Sequence, residues 1–485
     1  MKSSPETDAK AAALFALLPF AALTVVVTVA TVGKTSRLLT GLTYFVLPSS
    51  EAEKARARLA KATAARRKDK RRKPTALESI AKSDENDAIA SLRLTKADLL
   101  LRPFWKHFDH LVFFTILVTV NWLAAEARAQ YLVRTTNNSG TVIVLENPLL
   151  PLMCLFGTGS AARALVLMEL DKGTPAVEKT ISGVVAVLGF LVSFLILSLV
   201  PSNVLDFEID RTSVEFAPAV IGFIKRKAGK ALGRVPGLMD IEVQTLDVSA
   251  KGSLVVSKLQ IALGLSVFAG ILCGALFPPA VRASRSYLAV TAPPRWSSKI
   301  VRASFPNRII AHVAFASPSL ACAAFFSPEL REVSCARPVL LLAVGLFTLL
   351  SVPTLVQGHL NGALITWYEL KNGELARGDG ANTRPAARSK ADVTIHVVAK
   401  VAVQAASPAC LLVCLACLLG SKRVDGFDDD SLTGMIPAVC WRTVAGYLGW
   451  WSCGVWGLFI TAGVVLGRTG GPGFTQEKKT QESIK

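Results

Sequence analysis

Hydrophobic and charged positions are strongly segregated along this chain. Nine runs of roughly 15 to 30 residues carry no Lys, Arg, Asp or Glu in their interiors: Ala11–Gly33, Leu111–Ala125, Asn147–Ala162, Thr180–Leu205, Leu259–Val281, Ile309–Pro328, Pro338–Tyr368, Val401–Ser421 and Thr443–Gly467. A helix needs about 20 apolar residues to cross ~30 Å of hydrocarbon. In that solvent every backbone N–H and C=O must be bonded within its own segment, so each run is expected to be a helix. The pattern predicts an all-α, polytopic membrane protein with about nine spans. The second run is short and borrows His107 to His110 at its entrance, and the third, ending at Arg163, extends past it if it crosses fully. The first is too long for the ~7–15-residue apolar core of a cleaved secretory signal, so it reads as a retained signal anchor.

The runs divide the chain into an anchor (1–33), a charged loop (34–108), spans two to four (109–205), a long loop (206–258), spans five to seven (259–368), a further loop (369–400), the last two spans (401–467) and a tail (468–485). Pro19, Pro278, Pro318, Pro353 and Pro408 lie in or near spans, where each removes a ladder bond. Such prolines occur in transporters and in plain packing helices alike.

Composition agrees with the pattern. Apolar residues make up 51% of the chain, charged residues 18%, and the mean hydropathy is +0.44. The net charge of +19 is ordinary for a membrane protein whose cytoplasmic loops collect Lys and Arg. A nucleic-acid binder needs a wet basic surface instead, and no nucleic-acid partner is expected. With alternating spans and loop 34–108 in the cytoplasm, 37 of the 54 Lys and Arg fall on the cytoplasmic side and 17 on the other. The N-terminus is then outside or lumenal and the C-terminus cytoplasmic. The basic block "ARRKDKRRKP" (65–74) lies in that first loop, where anionic headgroups attract each basic residue by ~1 kcal/mol near the surface. Between the fourth and fifth spans, Phe216, Val220, Ile224 and Ala228 step along one face beside Lys225, Lys227 and Lys230. Residues 212–234 therefore read as an amphipathic helix in the headgroup plane.

Chemistry is sparse. Phosphate-binding loops, HExxH, GxSxG and EF-hand patterns are missing from the sequence, so no catalytic residue, cofactor or metal is expected. "GTGSAA" (157–162) lies inside a span, where small residues let helices approach closely. "GHLNG" (358–362) offers His359 and Asn361 without a carboxylate near in sequence; an interface histidine is the plainer reading, a membrane enzyme centred on His359 the sharper one. Cys410, Cys414 and Cys417 share one face of the eighth run and read as small helix-contact residues rather than metal ligands. Cys335 and Cys440 both fall on the outer side, and a disulfide between their loops is a candidate pairing. Asn137 opens the chain's N-x-S acceptor, also on the outer side, and is a candidate glycosylation site.

Several short motifs resemble one family. These are "FPPAVR" with Phe277, Pro278 and Arg282, "VQAASP" with Gln404, Ser407 and Pro408, and "GYLGWWS" with Tyr447, Leu448, Trp450, Trp451 and Ser452. "PSSEAE" (48–53), "LTKADLL" and "HFDHLVFF" follow in matching order. Together they resemble the transmembrane protein 161 family. The interrupted "ELKNGELARGDGANTRPAARSK" segment and the unusually basic first loop depart from its pattern. The resemblance implies a eukaryotic multi-pass protein of a family without an established enzymatic activity, whose animal members look like modulators of membrane excitability and stress responses. It brings no catalytic residues. The expected function is a regulator or scaffold of other membrane proteins, with ion homeostasis the setting; the alternative is a channel or transporter. Replacing Asn137 by Gln should abolish any glycosidase-sensitive mass, and mass persisting in the variant would place the glycan elsewhere.

Overall fold

In the computed structural model, the described residues are 19–31, 34–46, 90–135, 149–171, 176–201, 204–216, 258–293, 301, 303–333, 335–377, 393–421 and 438–469. Nine helices in these segments coincide with the nine uncharged runs: α1 (Pro19–Thr31), α2 (Trp105–Thr135), α3 (Leu149–Leu170), α4 (Ala176–Leu199), α5 (Lys258–Thr291), α6 (Phe305–Ala324), α7 (Ala336–Arg377), α8 (Val398–Gly420) and α9 (Ala438–Thr469). Among the described residues seven of them, all but α1 and α6, are long and apolar enough to cross a membrane. Helix α6 is 20 residues long but carries Arg308 and His312. Asn137, the basic block 65–74 and all but the first residues of the 212–234 segment lie outside the described residues.

The centre of the bundle is α8. It packs against α2, α3, α5, α7 and α9, and the whole of its apolar window is buried. Only small side chains permit so many neighbours. Its sequence, VAKVAVQAASPACLLVCLACLLG, is built largely from Ala, Val, Cys and Leu. The facing helices supply glycines where contact is closest. A Cβ on Gly345 of α7 would stand 2.6 Å from Val413 Cγ2 and 3.1 Å from the Ala409 carbonyl oxygen. One on Gly157 of α3 would collide with Cys414 Sγ. Helix α4 is the opposite case: only 22% of its window is buried, by a seam against α5 in which Gly189, Gly270 and Gly274 meet the facing helix. Val177, Val184, Val187, Leu188 and Leu195 on its other side are exposed, as a lipid-facing surface requires.

Polar contacts sort the helix ends into two groups. At one end Thr35 donates to Asp109, Lys400 Nζ meets Asp171 at 2.8 Å, Arg282 meets Glu178, Arg102 meets His396 at 2.7 Å and Asn361 donates to the Val301 carbonyl. Apart from Asn361, which lies within the seventh run, these residues come from loops assigned to one side by the charge pattern, or from helix ends adjoining them. At the other end Arg337 donates to the Asp206 carbonyl, Thr443 to the Phe207 carbonyl, and Lys258 pairs with Asp210. Helix α6 spans the same height. His312, near its start, bonds Tyr287 at 2.8 Å, and the Cys322 carbonyl, near its end, accepts from Trp450.

One element was not expected from the pattern. Strands β1 (Thr43–Val46) and β2 (Ala90–Arg93) pair antiparallel, with Thr43 opposite Arg93, so the all-α description gains a small ribbon that brings together the two ends of segment 47–89. Gln357 of α7 completes its edge: Thr43 N–H donates to Gln357 Oε1 and Gln357 Nε2 donates to the Thr43 carbonyl, both at 2.9 Å. Next to β2 a capping box starts the short helix Lys96–Leu100, and the hydrogen bonds from Thr95 hold the Asp98 carboxyl below the ordinary carboxylate value.

Glycine contacts supply a test of the packing. A Cβ on Gly274 would lie 2.7 Å from both Ala186 Cβ and the Ser182 carbonyl, whereas one on Gly264 meets nothing within 4 Å. Gly274→Val should lower the thermal unfolding temperature in detergent, at a cost of about 1–3 kcal/mol from overpacking. Gly264→Val should leave it near wild type, and equal behaviour of the two would contradict this α4–α5 seam.

Candidate functional site

Helix α3 does not stop at Arg163. The following residues, ALVLMEL, are good helix formers, and the helix runs on to Leu170. One face of this extension, through Ala161, Ala164, Leu165 and Met168, is fully or almost fully buried. Glu169 lies one turn beyond Leu165 on that side and is itself only 7% exposed. Both of its carboxylate oxygens are buried without a hydrogen-bond partner. The charge-free span interiors expected from sequence are therefore corrected. Hydropathy marks where charges occur, whereas helix hydrogen bonding and packing decide where the helix ends.

The groups acting electrostatically on Glu169 are Arg282, Glu178, Lys400 and Lys179. The basic ones already have partners. Arg282 of α5 is paired with Glu178 at the start of α4, and both side chains are roughly three-quarters buried. Lys400 of α8 holds Asp171, just past the end of α3, at 2.8 Å. Lys179 Nζ reaches the Leu170 carbonyl at 3.5 Å. The two ion pairs clamp the α3–α4 connection, from both of its ends, onto α5 and α8. Gln404 lies one turn inward from Lys400 on the same side of α8. It is 2% exposed, and neither its amide oxygen nor its nitrogen has a partner. His359 of α7 feels the Arg282 charge and bonds the Thr394 backbone, and its Nε2 is buried and unpartnered.

Other residues singled out in the sequence have packing roles. Trp451 Nε1 donates to the Ala269 carbonyl at 2.9 Å and Trp450 Nε1 to the Cys322 carbonyl at 3.2 Å, tying α9 to α5 and α6. Tyr447 Oη and Ser193 Oγ share a hydrogen bond at 2.5 Å, which ties α9 to α4. Leu448 and Ser452 are buried beside them. Phe277 meets Phe459 edge-to-face at 5.1 Å, Pro278 is buried within α5, and Pro408 is buried within α8. Ser407 donates to the Val403 carbonyl.

The cysteines of α8 are helix-contact residues. Cys410 Sγ lies 3.9 Å from the Gly157 carbonyl and 4.0 Å from Cys414 Sγ, and no group of three His, Cys, Asp or Glu suited to a metal occurs among the described residues. The candidate Cys335–Cys440 disulfide is not made in this structure: Cys335 Sγ lies 4.0 Å from Glu126 Oε1, and Cys440 is buried in the first turn of α9.

A family model described as predicted transmembrane protein 161AB matches residues 15–428. The chain belongs to the transmembrane protein 161 family. The match includes Phe277, Pro278, Arg282, Gln404, Ser407 and Pro408, together with Glu169, whereas the Tyr447–Ser452 motif lies beyond it. No curated protein and no solved structure matches the chain. Arg282 and Gln404 belong to the motifs that carry the resemblance, whereas Glu169 escapes a sequence reading because the Arg163 charge closes the third uncharged run before it.

The Arg282–Glu178 pair gives a measurable consequence. Removing one partner leaves a largely buried charge alone, so Arg282→Met and Glu178→Met should each destabilise by about 1–3 kcal/mol. The double variant should recover part of that loss in thermal unfolding. Additive losses would show that the pair does not hold the clamp.

Proposed function

We propose that this member of the transmembrane protein 161 family is a non-enzymatic regulator or scaffold of other membrane proteins, acting in ion homeostasis, excitability or stress response. The observation that carries this reading is α8. The middle of the bundle is filled by a helix buried along its whole apolar window, packed on five others. Extensive apolar surface is presented outward instead, above all by α4. In the bilayer such a surface is covered by lipid or by the helix of another membrane protein, which is the contact that a regulator or scaffold uses.

The chain is read as crossing nine times, with α1 and α6 as crossings, the N-terminus outside or lumenal and the C-terminus cytoplasmic, in the plasma membrane or an endomembrane. The sorting of polar contacts into two ends supports the alternation, and the basic excess supports the orientation. The β1–β2 ribbon anchors loop 34–108 to the basic end of the bundle, which favours contact between its basic block and anionic headgroups.

A channel or transporter for an ion or small solute is the second reading, and Glu169 favours it: buried ionisable residues within spans commonly mark ion pathways. Flux across liposomes containing only the purified protein separates the two. The regulator is expected to show none above protein-free liposomes; saturable or voltage-dependent flux would replace it with the transporter. A glycan added at an engineered acceptor in loop 34–108 would reverse the orientation.

A further inference from the structure

Two buried side chains at the junction of α3, α5 and α8 have more hydrogen-bonding capacity than the protein uses. Glu169 contributes two carboxylate oxygens, and Gln404 contributes an amide oxygen and nitrogen, all without partners. Both residues are more than nine-tenths buried. Leaving a carboxylate charged and unpaired in such a place costs several kcal/mol, and buried polar groups are otherwise nearly always satisfied, by protein or by water or an ion. The cations that surround Glu169 are committed elsewhere, Arg282 to Glu178 and Lys400 to Asp171.

We propose that Glu169 and Gln404 form a binding site for one small monovalent cation, H+ or Na+, between α3, α5 and α8 at the basic end of the bundle. The charge arithmetic selects monovalence. Among the buried groups the Arg282–Glu178 and Lys400–Asp171 pairs each cancel; Lys179 keeps its charge, but its contact with the Leu170 carbonyl is exposed, where solvent screens it. One negative charge remains, which a single monovalent cation neutralises, whereas a divalent ion would leave excess positive charge beside Arg282 and Lys400. The carboxamide supplies a neutral oxygen to Na+ or to a hydrated proton. Register sets the two residues at a similar level of the bundle. Lys400 meets Asp171, and Cys414 lies against Gly157, so α3 and α8 run antiparallel, with Gln404 one turn inward from Lys400 and Glu169 two residues inward from Asp171. Arg282 fixes the α5 side of the junction, and His359 of α7 lies beyond it within reach of the Arg282 charge. The site is independent of flux: in a regulator it senses a cation, in a carrier it couples one.

The test is thermal unfolding of the full-length protein in detergent, in NaCl against N-methyl-D-glucamine chloride at constant ionic strength, from pH 5.5 to 8.5. Wild type is compared with Glu169→Gln, which imitates the neutralised carboxylate, and with Gln404→Leu. A Na+ site raises the wild-type Tm in NaCl by roughly 2–4 °C at high pH, and both variants lose the rise. A proton site gives no Na+ effect, but the wild-type Tm falls relative to Glu169→Gln as the pH rises. Parallel pH profiles with no Na+ effect in either protein overturn the proposal. If Glu169→Gln does not fold, the infrared spectrum of wild type at neutral pH reads the proton directly. A protonated-carboxyl C=O stretch that shifts in Gln404→Leu supports the site, and its absence together with Na+ insensitivity overturns it.

Discussion

A helix that is surrounded by protein along its whole length has no side left for lipid, and α8 imposes that condition on everything around it. Five helices reach it, so its side chains must be small enough to admit them, and the neighbours must be smooth where they touch. This explains several features that looked separate in the sequence. Cys410, Cys414 and Cys417 are there as compact apolar groups that fill gaps against α2 and α3. Gly157 in the "GTGSAA" run is a landing place for Cys414, and Gly345 one for Val413. In lipid there is little hydrophobic gain from bringing apolar helices together, so close van der Waals packing of this kind carries the association.

Packing of small residues sets the spacing but resists sliding only weakly, and the polar contacts add registry. Trp450 and Trp451 place two indole donors on carbonyls of two different helices, and Tyr447 reaches a third. Each such bond contributes about 1 kcal/mol, and each fixes the height of α9 against a partner. At the basic end, two ion pairs do the same for the α3–α4 connection. The resulting bundle is held at both ends by directional contacts and along its middle by shape.

How much of this could be read beforehand follows from what hydropathy measures. It locates apolar stretches, and all nine coincide with helices. Requiring each run to be free of charge turns every charge into a boundary, and there the reading misleads. Arg163, Glu169, Arg282 and Lys400 all lie inside helices; of these Arg163 is exposed, Arg282 and Lys400 are paired, and Glu169 is buried. Pairing across α3, α4, α5 and α8 is a long-range property that a single sequence does not display. Helix propensity after Arg163 was the available clue, since ALVLMEL has no residue that would end a helix. The ribbon escaped for another reason. Its strands are four residues each and separated by segment 47–89, and its edge depends on Gln357, more than 300 positions away.

The buried carboxylate and the packed centre bear on each other. Glu169 sits between the two pairs that clamp the α3–α4 connection, within the electrostatic reach of both cations. In its charged form it attracts Arg282 and Lys400 in competition with Glu178 and Asp171; neutralised, it leaves both pairs undisturbed. The state of that one carboxylate therefore bears on how firmly α4 is fastened to α5 and the end of α3 to α8. Helix α4 is also the most lipid-exposed of the seven long apolar helices, with 22% of its apolar window buried. A change at the α3–α5–α8 junction thus has a short physical route to the surface most open to another membrane protein. The centre transmits little because it is tightly packed against five neighbours, so the adjustable part of this structure is its basic end.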